Sequence, residues 1–134
     1  MAEKILLEVV TPDRKLLAAE ADVVVCPGVE GQFGVLHGHI PFLSALDIGE
    51  MYYRDGAKTE YLSVSGGFAE VTGKKVTIVA EAAELGREID IERARRAMER
   101  AQQRLAAAKT EAIDFARAEA ALRRAMARMK AAGH

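Results

Sequence analysis

The chain has 134 residues, of which half are apolar and 29% are charged, and its formal net charge is −1. This length is typical of one domain, or of one small domain with an appendage. The near-zero net charge gives no overall bias toward nucleic acid or anionic membrane. No apolar run approaches the ~20 residues of a membrane-spanning helix, and the segment MAEKILLEVV does not have the pattern of a secretory signal. We therefore expect a soluble intracellular protein.

Composition predicts two parts that divide near Gly86. Residues 1–89 hold ten of the eleven glycines and all three prolines, whereas residues 90–134 consist mostly of Ala, Arg, Glu, Leu and Met. Charge divides in the same way, because residues 1–89 carry 8 basic and 14 acidic groups (net −6) and residues 90–134 carry 11 and 6 (net +5). We predict two domains of opposite charge, residues 1–86 and residues 87–134.

The first part has the pattern of short strands separated by turns. Six segments rich in β-branched and aromatic residues are bounded by turn residues such as Gly, Pro and Asp. They are residues 5–10, 21–26, 49–54, 59–65, 68–71 and 75–80. Many short strands without intervening helices indicate an antiparallel sandwich or barrel.

The second part is predicted to be an antiparallel helical hairpin. Each helix carries one row of large apolar residues and one row of alanines, both with a period of seven residues. The rows are Ile91, Met98 and Leu105 with Ala94, Ala101 and Ala108 in the first helix, and Phe115, Leu122 and Met129 with Ala118, Ala125 and Ala132 in the second. Alanine rows let two helix backbones approach closely, and a polar link near residues 109–114 separates the helices. One narrow apolar seam on each helix buries little area, so we expect the hairpin to be held weakly and to be able to move.

The segment PGVEGQFGVLHGHIPFL, residues 27–43, is the densest cluster of glycine, proline and histidine. It matches neither GxGxxG nor GxxxxGK[ST] and does not lead into a helix, so it does not predict a phosphate cradle. His37 and His39 would share one face of a strand, but no third metal ligand is placed beside them. A metal pair and a turn or surface contact are the two interpretations, and we favour the second, with no metal site.

No set of residues predicts an enzyme. SVSGGFAEV, residues 63–71, lacks the flanks of a GxSxG nucleophile elbow. Cys26 lies in VVVCPG without an obvious base nearby, which is more typical of a buried small apolar residue than of a catalytic thiol.

Arginine is concentrated in the second part. Residues 90–134 contain nine arginines, namely Arg93, Arg95, Arg96, Arg100, Arg104, Arg117, Arg123, Arg124 and Arg128. One interpretation is a solvated helix face with Glu92–Arg96 and Glu119–Arg123 as i,i+4 pairs. The other is a surface that binds acidic protein or phosphate, since guanidinium makes bidentate contacts to both. Nucleic acid is not expected, because Phe115 is the only aromatic residue in this part and offers no stacking platform.

Six motifs follow one another along the chain: EVVTPD (8–13), PGVEGQFGVLHGHIPFLSALDIG (27–49), YLSVSGGFAEV (61–71), KVTIVAEAAE (75–84), IDIERA (89–94) and IDFARAEAALRRAMAR (113–128). In this order, the set resembles the epsilon subunits of bacterial F-type ATP synthases over essentially the whole chain. The resemblance implies an α+β fold. An N-terminal antiparallel β-sandwich, ten-stranded in the family, is followed by a C-terminal antiparallel α-helical hairpin.

The same resemblance implies a non-catalytic rotor subunit of the central stalk, peripheral on the cytoplasmic face of the bacterial plasma membrane. Such a subunit couples proton translocation to ATP synthesis and reaches the membrane only through the complex. Its sandwich contacts the gamma subunit and the ring of c subunits. Its hairpin either folds down on the sandwich or extends toward the alpha and beta subunits and suppresses ATP hydrolysis.

Carried over to this chain, the resemblance assigns contacts with the c ring to Glu30, Gln32 and His39. Relatives often carry an acidic residue where this chain has Gln32. Contacts with an acidic loop of the beta subunit are assigned to Arg117, Arg123, Arg124 and Arg128.

Some relatives bind ATP through the pattern I/L-D-x-x-R-A, which Ile89, Asp90, Arg93 and Ala94 match. The supporting positions are Glu84, Arg100, Arg124 and Arg128. ATP is then a regulatory ligand, and no cofactor is required. The alternative for Asp90 is an N-cap of the first helix, with Arg93 merely solvated. The alternative function is a free-standing ATP sensor built on the same two domains.

Overall fold

The computed structural model of the protein describes residues 3–107 and 112–134, and within them eight β-strands precede a short 3₁₀ turn and two α-helices. The strands are β1 (Ile5–Val10), β2 (Lys15–Ala21), β3 (Val23–Gly28), β4 (Gly31–Val35), β5 (Phe42–Ala45), β6 (Ile48–Asp55), β7 (Lys58–Val71) and β8 (Lys75–Leu85). The 3₁₀ turn spans Gly86–Glu88, and the helices are α1 (Ile91–Ala107) and α2 (Ala112–Ala132). This arrangement confirms the predicted fold class.

The strands pair in the order β2-β1-β8-β7-β6-β3-β4, with β5 alongside β7. All these pairings are antiparallel except that of β1 with β8, which is parallel. The long β7 changes its neighbour partway along, from β6 in its first half to β5 in its second. Gly66 and Gly67 lie at this change with φ of 73° and 104°, a region that favours glycine.

The predicted strands at 59–65 and 68–71 are therefore one strand, and β8 continues five residues beyond the predicted end at residue 80. Three strands were not predicted, namely β2, β4 and β5. The reason is local composition: KLLAAEA is rich in residues with low strand propensity, GQFGV contains two glycines, and FLSA has only four residues. The described residues hold eight strands rather than the ten that the resemblance implies.

The core of the sandwich follows the two-residue period of its strands. In β1, Ile5, Leu7 and Val9 are fully buried, while the residues between them face outward. Leu62 and Ile78, from β7 and β8, are also fully buried. Cys26 belongs to this core, and burial raises the pKa of its thiol to about 12. This thiol stays protonated at neutral pH, unlike a catalytic nucleophile.

The two helices form the predicted antiparallel hairpin, with Ala94 near the start of α1 beside Ala131 near the end of α2. Ala94 and Ala101 are buried in α1, and Ala118 and Ala125 are buried in α2, as the alanine rows predict. The larger residues of the rows are only half-buried or, like Ile91 at 42%, exposed. Ala108 and part of the predicted link at 109–114 lie outside the described residues.

Contrary to the prediction of one seam per helix, α2 is buried on two faces. Ala127 and Ala131 are buried as well, and Ala127 lies about 180° around the helix from Ala118. In the described part of the chain, α1 packs almost entirely against α2, whereas α2 also packs against β6 and β7. The hairpin is thus attached to the sandwich through α2.

Candidate functional site

Three basic side chains of residues 90–134 meet acidic side chains of the sandwich. Arg123 Nη2 lies 2.7 Å from Asp47 Oδ1, Arg128 Nε lies 2.7 Å from Glu84 Oε1, and His134 Nε2 lies 2.8 Å from Glu50 Oε2. The opposite charges of the two parts are therefore matched across their interface. Arg123 does not pair with Glu119, and Glu92 pairs with Arg95 at 3.1 Å rather than with Arg96.

A hydrogen bond from the backbone of the next residue orients the side chain of Asp47 toward α2. The N–H of Ile48 donates to Asp47 Oδ1 at 2.8 Å. This hydrogen bond, together with the Arg123 guanidinium, holds the pKa of Asp47 below its ordinary value. The carboxylate is thus charged and oriented toward α2 at neutral pH.

A cleft of about 300 Å³ lies between the hairpin and strands β7 and β8. We call it the arginine cleft. Alanines of both helices and of β8 form the apolar part of its wall, and its polar lining consists of Ser63, Ser65, Glu84, Arg100, Arg104, Arg124 and Arg128. Four guanidinium groups therefore face a single carboxylate. This charge balance favours an anionic ligand, since guanidinium binds phosphate in bidentate geometry.

Glu84 and Arg128 close one side of the arginine cleft. Arg128 Nη2 donates to Glu84 Oε2 at 3.4 Å. The 2.7 Å contact of Nε with Oε1 is an ion pair rather than a hydrogen bond, because the buried Nε has no aligned acceptor. Arg128 is thus already paired with Glu84, whereas Arg100, Arg104 and Arg124 are exposed.

The motif IDIERA lies beside the arginine cleft and not in its lining. Asp90 Oδ1 accepts the N–H of Arg93 at 3.1 Å, which is the geometry of a helix N-cap. The side chain of Arg93 is exposed, and Ile89 and Ala94 are buried in a small apolar cluster with Ala131. The cleft brings together four of the residues predicted to bind nucleotide: Glu84, Arg100, Arg124 and Arg128. The four residues of the motif do not line it.

Sequence reasoning missed Ser63, Ser65 and Arg104 as lining residues. Arg104 follows Arg100 by four residues and shares its side of α1, so helical spacing was a usable signal. No local pattern marks the two serines, because their place opposite α1 and α2 depends on how the hairpin docks.

The four arginines predicted to contact the beta subunit do not share one surface. Arg117, Arg124 and Arg128 follow one another at intervals of seven and four residues, so they lie on one side of α2. Arg123 lies on another side, at Asp47.

The residues predicted to contact the c ring lie in the segment 28–43. Glu30 is exposed in the turn between β3 and β4, and Gln32 is exposed in β4. His39 is half-buried, with Nδ1 2.8 Å from the carbonyl oxygen of Ile40 and its ring 5.0 Å from that of Phe42. His37 instead lies 2.9 Å from Glu3, so the two histidines have different partners.

Four large apolar side chains of the same segment are exposed: Val29, Leu36, Ile40 and Leu43, with Ile40 at 79%. We call them the apolar loop residues. Exposed apolar side chains that cluster in one segment are typical of a protein interaction site. These residues were not predicted from the sequence, although the position of all four among the glycines and prolines of PGVEGQFGVLHGHIPFL was a usable signal.

Within residues 3–107 and 112–134, no three His, Cys, Asp or Glu side chains are grouped as metal ligands. In the same ranges, no helix is both long and apolar enough to cross a membrane.

Comparison with known proteins covers both parts of the chain. Residues 4–86 match the model of the ATP synthase delta/epsilon chain β-sandwich domain, and residues 87–133 match that of the ATP synthase delta/epsilon chain long α-helix domain. The chain belongs to the ATP synthase delta/epsilon family.

Individual members of the ATP synthase delta/epsilon family agree with this assignment. The ATP synthase epsilon chain of Nitratidesulfovibrio vulgaris (strain DP4) is 56% identical over 109 residues, which is 81% of each chain. That of Carboxydothermus hydrogenoformans is 56% identical over 106 residues, which is 79% of each chain. These relatives confirm the resemblance to bacterial epsilon subunits.

Solved structures show the same fold. A chain of the Euglena gracilis mitochondrial ATP synthase OSCP/F1/c-ring structure superposes with a TM-score of 0.83 at 27% identity, covering 100% of this chain and 84% of that one. A chain of the Tetrahymena thermophila mitochondrial ATP synthase central stalk and c-ring has a TM-score of 0.60 at 14% identity, with 98% of each covered, and shares the fold alone.

Proposed function

We propose that the chain is a non-catalytic central-stalk subunit of a bacterial F-type ATP synthase, peripheral on the cytoplasmic face of the plasma membrane. In this role it helps couple proton translocation to ATP synthesis, and its helices restrain ATP hydrolysis. The observation that carries the proposal is the attachment of a basic hairpin to an acidic sandwich through one helix, in a chain that matches the family over both parts.

We assign the contact with the c ring to the segment 28–43. Glu30, Gln32 and His39 supply its polar groups, and the apolar loop residues supply area that water would otherwise cover. Because the apolar contribution does not depend on charge, Gln32 in place of an acid leaves most of this contact intact.

We assign binding of the gamma subunit to a different surface, which is a row of outward-facing side chains across four strands. Ala45 pairs with Phe68, Phe68 with Val79, and Val79 with Val10, so these four side chains lie side by side on one face of β5, β7, β8 and β1. Phe68 is 43% exposed at the centre of the row. An exposed aromatic residue within an apolar row is typical of a protein interface.

The variant Phe68→Asp tests this docking surface. We expect it to bind the gamma-containing catalytic subcomplex at least about ten-fold more weakly, because an interface centre does not tolerate an unpaired charge. Ala57→Asp, at the exposed turn between β6 and β7, adds the same charge elsewhere and should bind like the wild type. Equal binding by the two variants in a surface-based titration would contradict the assignment.

Restraint of hydrolysis requires that α2 leave the sandwich. In the folded-down state Arg123 and Arg128 are neutralised by Asp47 and Glu84. Once the hairpin lifts, both join Arg117 and Arg124 as free positive charges for an acidic loop of the beta subunit, near the alpha subunit. The two states thus offer different charge to the catalytic head.

Removal of residues 87–134 tests the regulatory role. We expect the full chain to lower the ATPase rate of the catalytic subcomplex several-fold and the truncated chain, residues 1–86, to leave that rate near its starting value. Binding of the truncated chain to the subcomplex and its far-UV circular dichroism serve as controls. The same rate with either chain bound would remove the regulatory half of the proposal.

We further propose that ATP binds in the arginine cleft as a regulatory ligand. The volume of the cleft is at the lower end of the range for ligand pockets, and Arg100, Arg104 and Arg124 come from both helices. Phosphates held between them would link the helices and favour the folded-down hairpin. Arg93, about 10 Å from Arg100 along α1, is not among the lining residues of the cleft, so we do not assign it to these phosphates.

A further inference from the structure

The linker between the sandwich and α1 is in direct backbone contact with the end of α2. A Cβ atom built on Gly86 would lie 2.3 Å from the carbonyl oxygen of Ala131 and 2.9 Å from its carbonyl carbon. These are backbone atoms, so no change of rotamer relieves the overlap. The φ of Gly86 is outside the left-handed region, so its backbone conformation would accept a side chain. The docked helix α2 excludes one, and the carbonyl oxygen of Tyr61, at 3.0 Å, adds a weaker contact.

A second contact lies just beyond α2. The ring of His134 stacks on that of Tyr61, with 3.5 Å between centroids and 8° between planes. His134 Nε2 also lies 2.8 Å from Glu50 Oε2, and the side chain of Glu50 is only 10% exposed. Residue 134 is therefore held by β6 and β7 together.

A third contact joins the same elements. Ile89, Ala94 and Ala131 form a buried cluster of their own, separate from the core of the sandwich, and Tyr61 packs against it. The linker, the start of α1, the end of α2 and β7 consequently meet in one place.

We propose that this place, comprising Gly86, Ala131, His134, Tyr61 and Glu50, is a clasp that determines whether the hairpin rests on the sandwich. The contact of Arg123 with Asp47 is 43% and 40% exposed, and exposed ion pairs contribute little. Within the clasp, Gly86 and Ala131 are both buried and meet through backbone atoms. The side chain of His134 is 39% exposed, but it stacks on Tyr61 and contacts the 10% exposed Glu50. Because α1 is attached almost entirely through α2, opening the clasp releases both helices together.

The regulatory consequence of the clasp rests on the proposed function, but the clasp itself is a property of the isolated chain. A reporter cysteine makes it measurable. Ala127 is buried one turn before Ala131 and on the same face of α2, so Ala127→Cys places a thiol under the docked helix. Cys26 is buried and gives no background labelling in the folded chain.

In the Ala127→Cys chain, adding Gly86→Ala is expected to raise the rate of maleimide labelling at residue 127 about ten-fold or more, while Cys26 stays unlabelled. Gly34→Ala is the matched control, since a Cβ there meets only ordinary contacts at 3.8 Å or more, and it should leave the rate unchanged. Equal rates for the two glycine variants would overturn the proposal.

His134→Ala, in the same reporter chain, opens the clasp without touching the linker and is expected to give an intermediate rate. If Gly86→Ala also exposes Cys26, the sandwich itself has unfolded and His134→Ala alone decides: an unchanged rate overturns the clasp. The labelling rates are measured on the isolated chain, without the other subunits of an ATP synthase. Faster labelling combined with unchanged restraint of the ATPase would keep the clasp and reject the regulatory function.

Discussion

Replacing Gly67 with alanine is expected to destabilise the sandwich by about 3–5 kcal/mol, from steric overlap and backbone strain together. A Cβ at this position would lie 2.0 Å from the carbonyl oxygen of Val79 and 2.8 Å from Cα of Ala80, both in the backbone of β8. Its φ of 104° adds strain for any residue with a side chain. Relief would require β7 and β8 to separate where they pair.

Urea denaturation followed by circular dichroism measures this effect. A domain of this size has a free energy of unfolding of about 5–15 kcal/mol. The urea concentration at the unfolding midpoint should therefore be much lower in the variant, or the variant should not fold at all. Gly34→Ala is the control, because residue 34 has no left-handed φ and a Cβ there has room. A Gly67→Ala midpoint close to that of Gly34→Ala would show that the strands adjust more cheaply than the geometry indicates.

Arg124→Ala and Arg100→Ala are each expected to weaken ATP binding about ten-fold or more. A hydrogen bond between charged groups contributes roughly 1.5–3 kcal/mol. In each variant, no neighbouring side chain takes the place of the lost guanidinium group. Calorimetric titration of ATP into the isolated chain measures the change. The control is Arg117→Ala, which removes the same charge from α2 at an exposed position outside the cleft.

Arg93→Ala distinguishes the cleft from the IDIERA motif. If the phosphates lie in the arginine cleft alone, this variant should bind nearly like the wild type, since Arg93 is exposed and its backbone N–H already caps against Asp90. A loss as large as that of Arg124→Ala would place the motif in the site. Absence of binding by the wild type at millimolar ATP would reject the nucleotide proposal, while leaving the docking and truncation experiments unaffected.

Periodic patterns within single strands and helices predicted most of the fold. The alternation of Ile5, Leu7 and Val9 identified β1, and the alanine rows identified the contact between α1 and α2. Both patterns arise from the periods of single elements, which a sequence displays directly. Strands β2, β4 and β5 lacked such a pattern because their pairing, rather than their composition, holds them in place.

The second buried face of α2 and the composition of the arginine cleft required the docked structure. Ala127 and Ala131 look like any other alanines in an alanine-rich helix, and Ser63 and Ser65 look like ordinary strand residues. Their roles follow from which surface lies opposite, and that depends on contacts between residues far apart in the chain.

The division into an acidic β-rich part and a basic helical part, the seam of the hairpin and the family can all be predicted from the sequence, because each is encoded in composition, period or motif order. Which charges meet depends on the folded arrangement. Arg123 pairs with Asp47, and Arg128 with Glu84, 44 residues away. The reason is physical: any arginine can pair with any carboxylate, and the packing of α2 against β6, β7 and Gly86 decides which carboxylate each arginine reaches.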